Sequence, residues 1–136
     1  MPAVLNEAAR RLLDCPNPAV LGTINRDGSP QTSVVWVGRD GDDLLISSAA
    51  GRRKVLNITR DPRVSLCAYD LADPENYVEV RGLAAVSEDP GRRLAVALAE
   101  QYEGPGGGQA FLDLPPEVVR VVIRITPRRT AGTASG

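Results

Sequence analysis

Short apolar runs that alternate with turn-forming residues constrain this chain more than any other feature of its sequence. Residues 19–24 and 30–37 are separated by Asn25-Arg26-Asp27-Gly28, and Asp-Gly between two such runs is typical of a β-hairpin. Similar runs predict further strands at residues 44–48, 63–69, 77–87 and 118–126. These six or so strands are joined mainly by hairpins, so the sequence predicts an antiparallel, mainly β sheet that hides its edges by closing into a barrel.

A few short helices are predicted between the strands. They cover residues 4–14, 51–60 and 90–102. The first carries its apolar residues on one helical stripe and ends before Pro16, and the second ends at Asp61-Pro62. Asp89-Pro90 places a capping residue before a proline at the first helical position of the third. No strand–helix–strand alternation results, which is why the sheet is expected to be antiparallel.

Several segments outside these elements have their own signals. Gly82 lies inside a predicted strand, which indicates a bulge or a close backbone approach. Residues 38–43 and 70–76 are predicted turns, and residues 104–108 are a glycine-rich loop. The tail, residues 128–136, is small and polar, and we expect it to be flexible.

Size and charge exclude several classes of protein. A chain of 136 residues forms one domain, and its formal net charge of −1 argues against a general nucleic-acid binder. No apolar run approaches the roughly 20 residues of a membrane span, and the N-terminus has no signal-like apolar core. The expected location is therefore the cytoplasm.

The sequence contains no histidine. This excludes Ser-His-Asp and Cys-His nucleophilic sites and most zinc or non-haem iron sites. Its two cysteines, Cys15 and Cys67, form no Cys-x-x-Cys motif. If the protein is an enzyme, we therefore expect a bound organic cofactor to carry the chemistry.

The only lysine, Lys54, lies in a basic stretch among fifteen arginines. Backbone N–H groups at a helix start, with cations beside them, form a site for phosphate. Arg52 and Lys54 can reach one anion from either side, and the hydroxyls of Ser47 and Ser48 lie at the preceding strand end. Asn57, one turn after Lys54, is expected to share its face. The alternative is an ordinary solvated helix face.

Five segments together carry a resemblance to a known family. They are Gln31-Thr32-Ser33-Val34-Val35-Trp36, Gly51-Arg52-Arg53-Lys54, Asn57-Ile58-Thr59-Arg60-Asp61-Pro62-Arg63-Val64, Tyr77-Val78-Glu79-Val80-Arg81-Gly82 and Val122-Ile123-Arg124-Ile125-Thr126-Pro127. In this order and spacing they resemble the pyridoxamine 5′-phosphate oxidase-like superfamily. More narrowly, they resemble its actinobacterial F420-dependent branch of flavin/deazaflavin oxidoreductases. The resemblance covers about residues 5–127.

The resemblance implies an antiparallel six-stranded split β-barrel that forms a homodimer, with two cofactor sites at the subunit interface. It implies that the strand from Gln31 to Trp36 lines the cofactor ring, with Ser33, Val34 and Val35 beside it. It places Ser47, Ser48, Arg52, Lys54 and Asn57 at the phosphate. Tyr77, and with it Arg81, is expected to reach the site from the partner chain. No catalytic residue is implied, because hydride transfer takes place at the ring.

The leading functional hypothesis is an F420-dependent reductase that acts on a conjugated small molecule. F420 carries a phosphodiester and a long anionic tail, for which Arg52, Arg53, Lys54 and Arg60 could supply a cationic groove. Three alternatives remain open. They are the same fold with FMN, a cofactor- or tetrapyrrole-binding protein without turnover, and a structural barrel whose basic helix binds nothing.

Overall fold

The computed structural model describes residues 2–135 as one antiparallel sheet with short helices around it. The strands are β1 (Ala19–Ile24), β2 (Pro30–Val35), β3 (Gly38–Asp40), β4 (Asp43–Ala49), β5 (Arg63–Asp70), β6 (Asp73–Glu88) and β7 (Arg120–Ala131). Their order in the sheet is β2-β1-β5-β6-β7-β4-β3. The mainly β, split-barrel fold is thus confirmed. The sheet has seven strands rather than six because the predicted turn 38–43 contains β3.

Four helices cover parts of the sheet. They are α1 (Glu7–Asp14), α2 (Arg53–Arg60), α3 (Arg93–Glu103) and α4 (Gln109–Leu112). A short 3-10 turn, Pro90–Arg92, precedes α3, and the Asp89 carboxylate accepts hydrogen bonds from the backbone N–H groups of Leu94 and Ala95. Helix α4 was not predicted. Within residues 2–135 no helix is both long enough and apolar enough to cross a membrane.

The first hairpin forms as the Asp-Gly signal predicts. Ala19 pairs with Val35 and Ile24 with Pro30, and the N–H of Asn25 donates to the carbonyl oxygen of Ser29 at 2.8 Å. Gly28 has a φ of 88°, in the left-handed region that glycine adopts without steric cost. Strand β2 therefore runs back along β1, towards the start of α2.

Gly82 marks a real irregularity in the sheet. The register between β6 and β7 shifts between Arg81 and Gly82, and a Cβ at position 82 would overlap the carbonyl oxygen of Thr126. The predicted close backbone approach is confirmed. The bulge lets β6 continue past residue 82 while still pairing with β7 on both sides.

The end of the chain differs from the expectation of a flexible tail. Strand β7 continues to Ala131, and residues 129–131 pair with Glu79–Arg81. Thr133 accepts a hydrogen bond from the N–H of Tyr77 at 3.1 Å, and the N–H of Ala134 donates to the carbonyl oxygen of Tyr77 at 2.9 Å. The sequence analysis missed this pairing because it joins residues some fifty positions apart in the chain, which local patterns do not specify.

One hydrophobic cluster fills the space that the sheet, α1 and α2 enclose. Its fully buried members include Leu13, Leu21, Ile46, Leu66 and Ile123, from five different elements. Helix α2 packs on β1 and β6, whereas α3 packs on β4. Although these strands differ, the start of α2 and one side of α3 face the same cavity, which Lys54 and Leu98 both line.

Candidate functional site

An open cavity of about 180 Å³ lies where β2, β4, α2, α3 and α4 meet. Its apolar lining consists of Val34, Val35, Trp36, Ala95, Leu98 and Phe111. Its polar lining is limited to Ser47, Lys54 and Arg120. A largely apolar cavity with a few polar groups is the usual form of a small-molecule site.

Lys54 is the cation that the sequence singled out, and the structure places it in this cavity. Its ammonium donates one long hydrogen bond, 3.4 Å, to the hydroxyl of Ser33. Burial lowers the pKa of Lys54, and the charges of Arg52 and Arg120 lower this pKa further. Within residues 2–135 Lys54 forms no ion pair. Its charge is therefore available for an anion.

The start of α2 adds further positive potential. Arg52 occupies the position before the helix and is exposed, and no side chain caps the first turn. The first backbone N–H groups of a helix have no partner within the helix. Together with the helix dipole they favour an anion at this end.

Arg120 is a cavity residue that the sequence analysis missed. Its Nη2 donates to the hydroxyl of Ser47 at 2.8 Å, and its guanidinium carbon lies 4.9 Å from the centre of the Phe111 ring. Its Nε is buried without a hydrogen-bond partner. Burial lowers the pKa of Arg120, as do the charges of Arg52 and Arg92, while Asp89 opposes this.

The sequence signal for Arg120 was weak because it depends on strand pairing. Arg120 interrupts a run of valines and isoleucines in residues 118–126, as a single charge on the outer face of a strand commonly does. Only the pairing of β4 with β7, which sets Ala49 opposite Arg120, brings it beside Ser47. These residues are more than seventy positions apart in the chain.

Asn57 was predicted to share the face of Lys54, but the structure places it elsewhere. Its side chain is fully buried, and its Nδ2 donates to the Thr23 hydroxyl at 3.0 Å and to Asn25 Oδ1 at 2.9 Å. Its Oδ1 accepts from Arg60 at 3.3 Å. The amide thus ties α2 to the first hairpin, and all its polar atoms have protein partners.

Ser48 and Gln31 also lie outside the cavity lining. Ser48 is 4% exposed and shares the core face of β4 with Ile46, because alternate residues of a strand point to opposite faces. Only Ser47 of the serine pair lines the cavity. Gln31 Oε1 accepts from the Thr23 hydroxyl at 2.5 Å, and Gln31 Nε2 donates to the Thr32 carbonyl oxygen at 3.1 Å.

The remaining predicted residues divide between the cavity and the far side of the sheet. Val34 and Val35 line the cavity, and Val34 is 77% exposed. Ser33 reaches the cavity through its contact with Lys54. Tyr77 lies instead on β6 beside residues 132–134. Its expected role in a partner's site stays a prediction.

Trp36 lines the cavity, and its ring is held in place by contacts with α3. Its ring stacks on Tyr102 with centroids 5.3 Å apart and planes 15° from parallel. The Tyr102 hydroxyl donates to the carbonyl oxygen of Asn17 at 2.9 Å and accepts from the N–H of Val37 at 3.1 Å. Helix α3 therefore holds the indole in one orientation, which suits a planar ligand.

Residues 2–135 contain no group of three or more Cys, Asp or Glu side chains placed to hold a metal ion. The polar groups of the cavity are a hydroxyl and cations. Such groups bind anions and not metal ions.

Comparisons with known proteins agree with the fold. The profile of a family described as pyridoxamine 5′-phosphate oxidase matches residues 5–134. A solved structure named F420 reductase is 29% identical, with 93% of this chain and 98% of that chain covered and a TM-score of 0.77. A conserved hypothetical protein from Mycobacterium tuberculosis is also 29% identical, covering 93% and 83%, with a TM-score of 0.75. A putative pyridoxamine 5′-phosphate oxidase from Listeria innocua is 22% identical, with 88% of this chain and 90% of that chain covered. Its TM-score is 0.62, and it shares the fold.

Proposed function

The chain belongs to the pyridoxamine 5′-phosphate oxidase family, and from this premise we propose that it is an oxidoreductase that uses coenzyme F420. It transfers hydride between the reduced deazaflavin and a conjugated small-molecule acceptor. The observation that carries the proposal is the half-buried ammonium of Lys54, which has no carboxylate partner within residues 2–135 and stands at one end of an apolar, aromatic cavity. A ring system with a phosphorylated side chain has this distribution of charge.

The residues present fit such a cofactor. Lys54, Arg52 and the Ser47 hydroxyl hold the phosphate, since burial has removed water from Lys54 without supplying an anion. Val34, Val35 and Trp36 form the apolar surface for the ring. The assignments of Gln31, Ser48 and Asn57 have no such support, because their side chains are engaged elsewhere.

The cofactor, when bound, supplies the hydride chemistry. The chain's own residues bind its phosphate, orient the ring against Trp36 and exclude water from the apolar part of the cavity. In this proposal Lys54 is bound to the phosphate and Arg120 keeps its proton, so no side chain of this cavity is left to act as a general acid or base. The protein therefore contributes binding and orientation, which alone can lower a barrier by roughly 7–11 kcal/mol.

The choice between F420 and FMN rests on two opposing observations. Similarity to a protein named F420 reductase supports F420. The cations, however, form a compact group and not an extended groove, because Arg60 bonds to the carbonyl oxygen of Ile24 and to Asn57. A compact group suits the single terminal phosphate of FMN, which is therefore the second candidate.

A homodimer is part of the proposal. The cavity of one chain, about 180 Å³, is smaller than the roughly 300–1,000 Å³ of typical ligand sites. Val34, beside the cavity, is 77% exposed, and Leu83 and Tyr77 are also exposed. A second copy would cover this apolar surface and enlarge the site, and Tyr77 and Arg81 are the residues that it would contribute.

A thermal-shift comparison tests the function. The protein is melted alone, with F420, with FMN, and with riboflavin as the control that lacks a phosphate. A ligand at 100 times its dissociation constant stabilises a protein by about 2.7 kcal/mol. We expect F420 to raise the melting temperature and riboflavin to leave it unchanged. A shift with FMN alone moves the assignment to flavin chemistry, and no shift with either contradicts the proposed function.

A further inference from the structure

We propose that Arg120 makes the cavity selective for ligands that carry two negative charges at this position instead of one. On FMN the second charge is that of the phosphate monoester. On F420 it is a carboxylate of the tail beyond the phosphodiester. The inference rests on the proposed function only for the identity of the ligand, because the cation itself is a feature of this chain.

Cations from α2 and from β7 meet at the site. Lys54 and the uncapped start of α2, which Arg52 precedes, can already balance one negative charge on a ligand. Arg120 approaches from β7 and lines the same cavity. Within residues 2–135 neither Lys54 nor Arg120 forms an ion pair. A singly charged ligand would leave one of the two half-buried cations without a counter-charge.

Arg120 is held in place by its neighbours. Its Nη2 bonds to the Ser47 hydroxyl, and the Phe111 ring lies against its guanidinium. Phe111 is fixed in turn by Arg92, whose guanidinium donates to the carbonyl oxygens of Phe111, Leu114, Pro115 and Val118. The Arg120 guanidinium is thus held in place before any ligand arrives, which lowers the entropic cost of binding.

The Arg120 guanidinium keeps hydrogen-bond donors that have no partner within residues 2–135. Its Nε is buried and unpartnered, and its Nη1 has no hydrogen-bond partner within residues 2–135. The charged groups that influence it are Arg52 before α2, Arg92 in the 3-10 turn and Asp89, which caps α3. Asp89 is the only acid among them, and it accepts backbone hydrogen bonds. An oxyanion in the cavity is therefore the natural acceptor for the free guanidinium donors.

The test uses the second ionisation of a phosphate monoester, whose pKa is about 6. FMN affinity is measured between pH 5 and 8 for the wild type, Arg120→Met and Arg120→Lys, with the fluorescence of the chain's single tryptophan, Trp36, as the readout. We expect wild-type affinity to fall about tenfold towards pH 5 as the second charge is lost. Arg120→Met should bind about tenfold more weakly at pH 8 and show little dependence on pH. Arg120→Lys should retain part of that dependence.

Three controls make the result decisive. Inorganic sulfate, whose charge does not change between pH 5 and 8, reports any titration of the protein itself, and Arg124→Met removes an arginine of the same strand that is paired with Asp40 and Asp43. F420 is compared with a truncated form that keeps the phosphodiester but lacks the carboxylates of the tail, so that an Arg120 effect on full-length F420 alone assigns the second charge to the tail. Unchanged affinity and an unchanged pH profile in Arg120→Met overturn the proposal. If no flavin or F420 binds the wild type, the proposed function fails, and inorganic phosphate binding to wild type and Arg120→Met decides the role of Arg120 alone.

Discussion

Basic side chains form ion pairs with acids at one end of the barrel and line a cavity without such partners at the other. Where α1 meets β3 and β4, Arg39 binds Asp14 and Arg10 binds Asp42. At the start of α2, Lys54 and Arg120 line a cavity without any carboxylate within 4.0 Å in residues 2–135. Hydrogen bonding to Asp14 raises the pKa of Arg39, whereas burial lowers the pKa of Lys54.

The difference shows that the partners of a cation, and not the number of cations, indicate a site. Fifteen arginines produce basic clusters throughout this sequence, and six of them form ion pairs with acids within residues 2–135. The paired end is neutralised within the protein and holds elements together. The unpaired end keeps its charge, and a half-buried charge without a partner lowers stability until an anion binds.

The largest expected effect is that of Lys54→Met. Removal of a charge-assisted hydrogen bond to phosphate costs about 1.5–3 kcal/mol. Affinity for F420 or FMN should therefore fall by roughly 10- to 150-fold. In the same variant the unliganded protein should melt at a higher temperature, because a half-buried ammonium has been replaced by an apolar chain of similar length. Titration with each cofactor and melting without ligand measure the two effects.

Arg124→Met is the matched control for this experiment. It removes a cation of the paired set, one that binds both Asp40 and Asp43, and should leave cofactor affinity unchanged. Equal losses of affinity in the two variants would mean that overall positive charge attracts the ligand. The contrast between the two ends of the barrel would then have no functional meaning.

An intermediate effect is expected from pH. An anion stabilises charged Lys54, so binding raises the pKa of Lys54 from the lowered value in the free protein. Affinity should be greatest while Lys54 is protonated and should decline as pH rises through that lowered pKa, below the ordinary value of 10.5. Lys54→Arg, whose charge persists at high pH, should show no such decline. Dissociation constants between pH 7 and 10 test this, and a parallel decline in both proteins would exclude Lys54 as its origin.

Local signals were read correctly from the sequence because they depend on neighbouring residues. Asp27-Gly28 predicted the first hairpin, and Gly82 predicted the bulge. Helix α2 was located for the same reason, within two residues of its predicted start. The extension of β7 to Ala131 was missed because it depends on β6, some fifty residues earlier.

Errors within the site came from side-chain direction and from distant pairing. Helical spacing suggested that Asn57 lies beside Lys54, but the Asn57 side chain turns inward to Thr23 and Asn25. The serine pair was taken as a unit, yet strand alternation sends Ser48 into the core. Arg120 and Phe111 join the cavity only through contacts between distant parts of the chain, which local patterns do not specify.

The smallest expected effect is that of Arg39→Met, which removes an ion pair at the end of the barrel where α1 meets β3. Arg39 binds both carboxylate oxygens of Asp14, at 2.8 and 2.7 Å, and the carbonyl oxygen of Gly41 at 2.7 Å. Asp14 is the last residue of α1, so this pair fastens the helix to β3. Because the Asp14 side chain is 50% exposed, water screens the pair, and its loss should lower the free energy of unfolding by only about 1 kcal/mol.

Urea denaturation measures this loss, and cofactor titration of Arg39→Met should give the wild-type dissociation constant. The variant is thus the converse of Lys54→Met, with stability lowered and binding intact. Raised salt should narrow the stability difference between Arg39→Met and the wild type, because it screens the intact pair. A loss of cofactor affinity in Arg39→Met would show that the two ends are coupled through the sheet. It would then be wrong to separate an end that stabilises the fold through ion pairs from an end that binds the cofactor through unpaired cations.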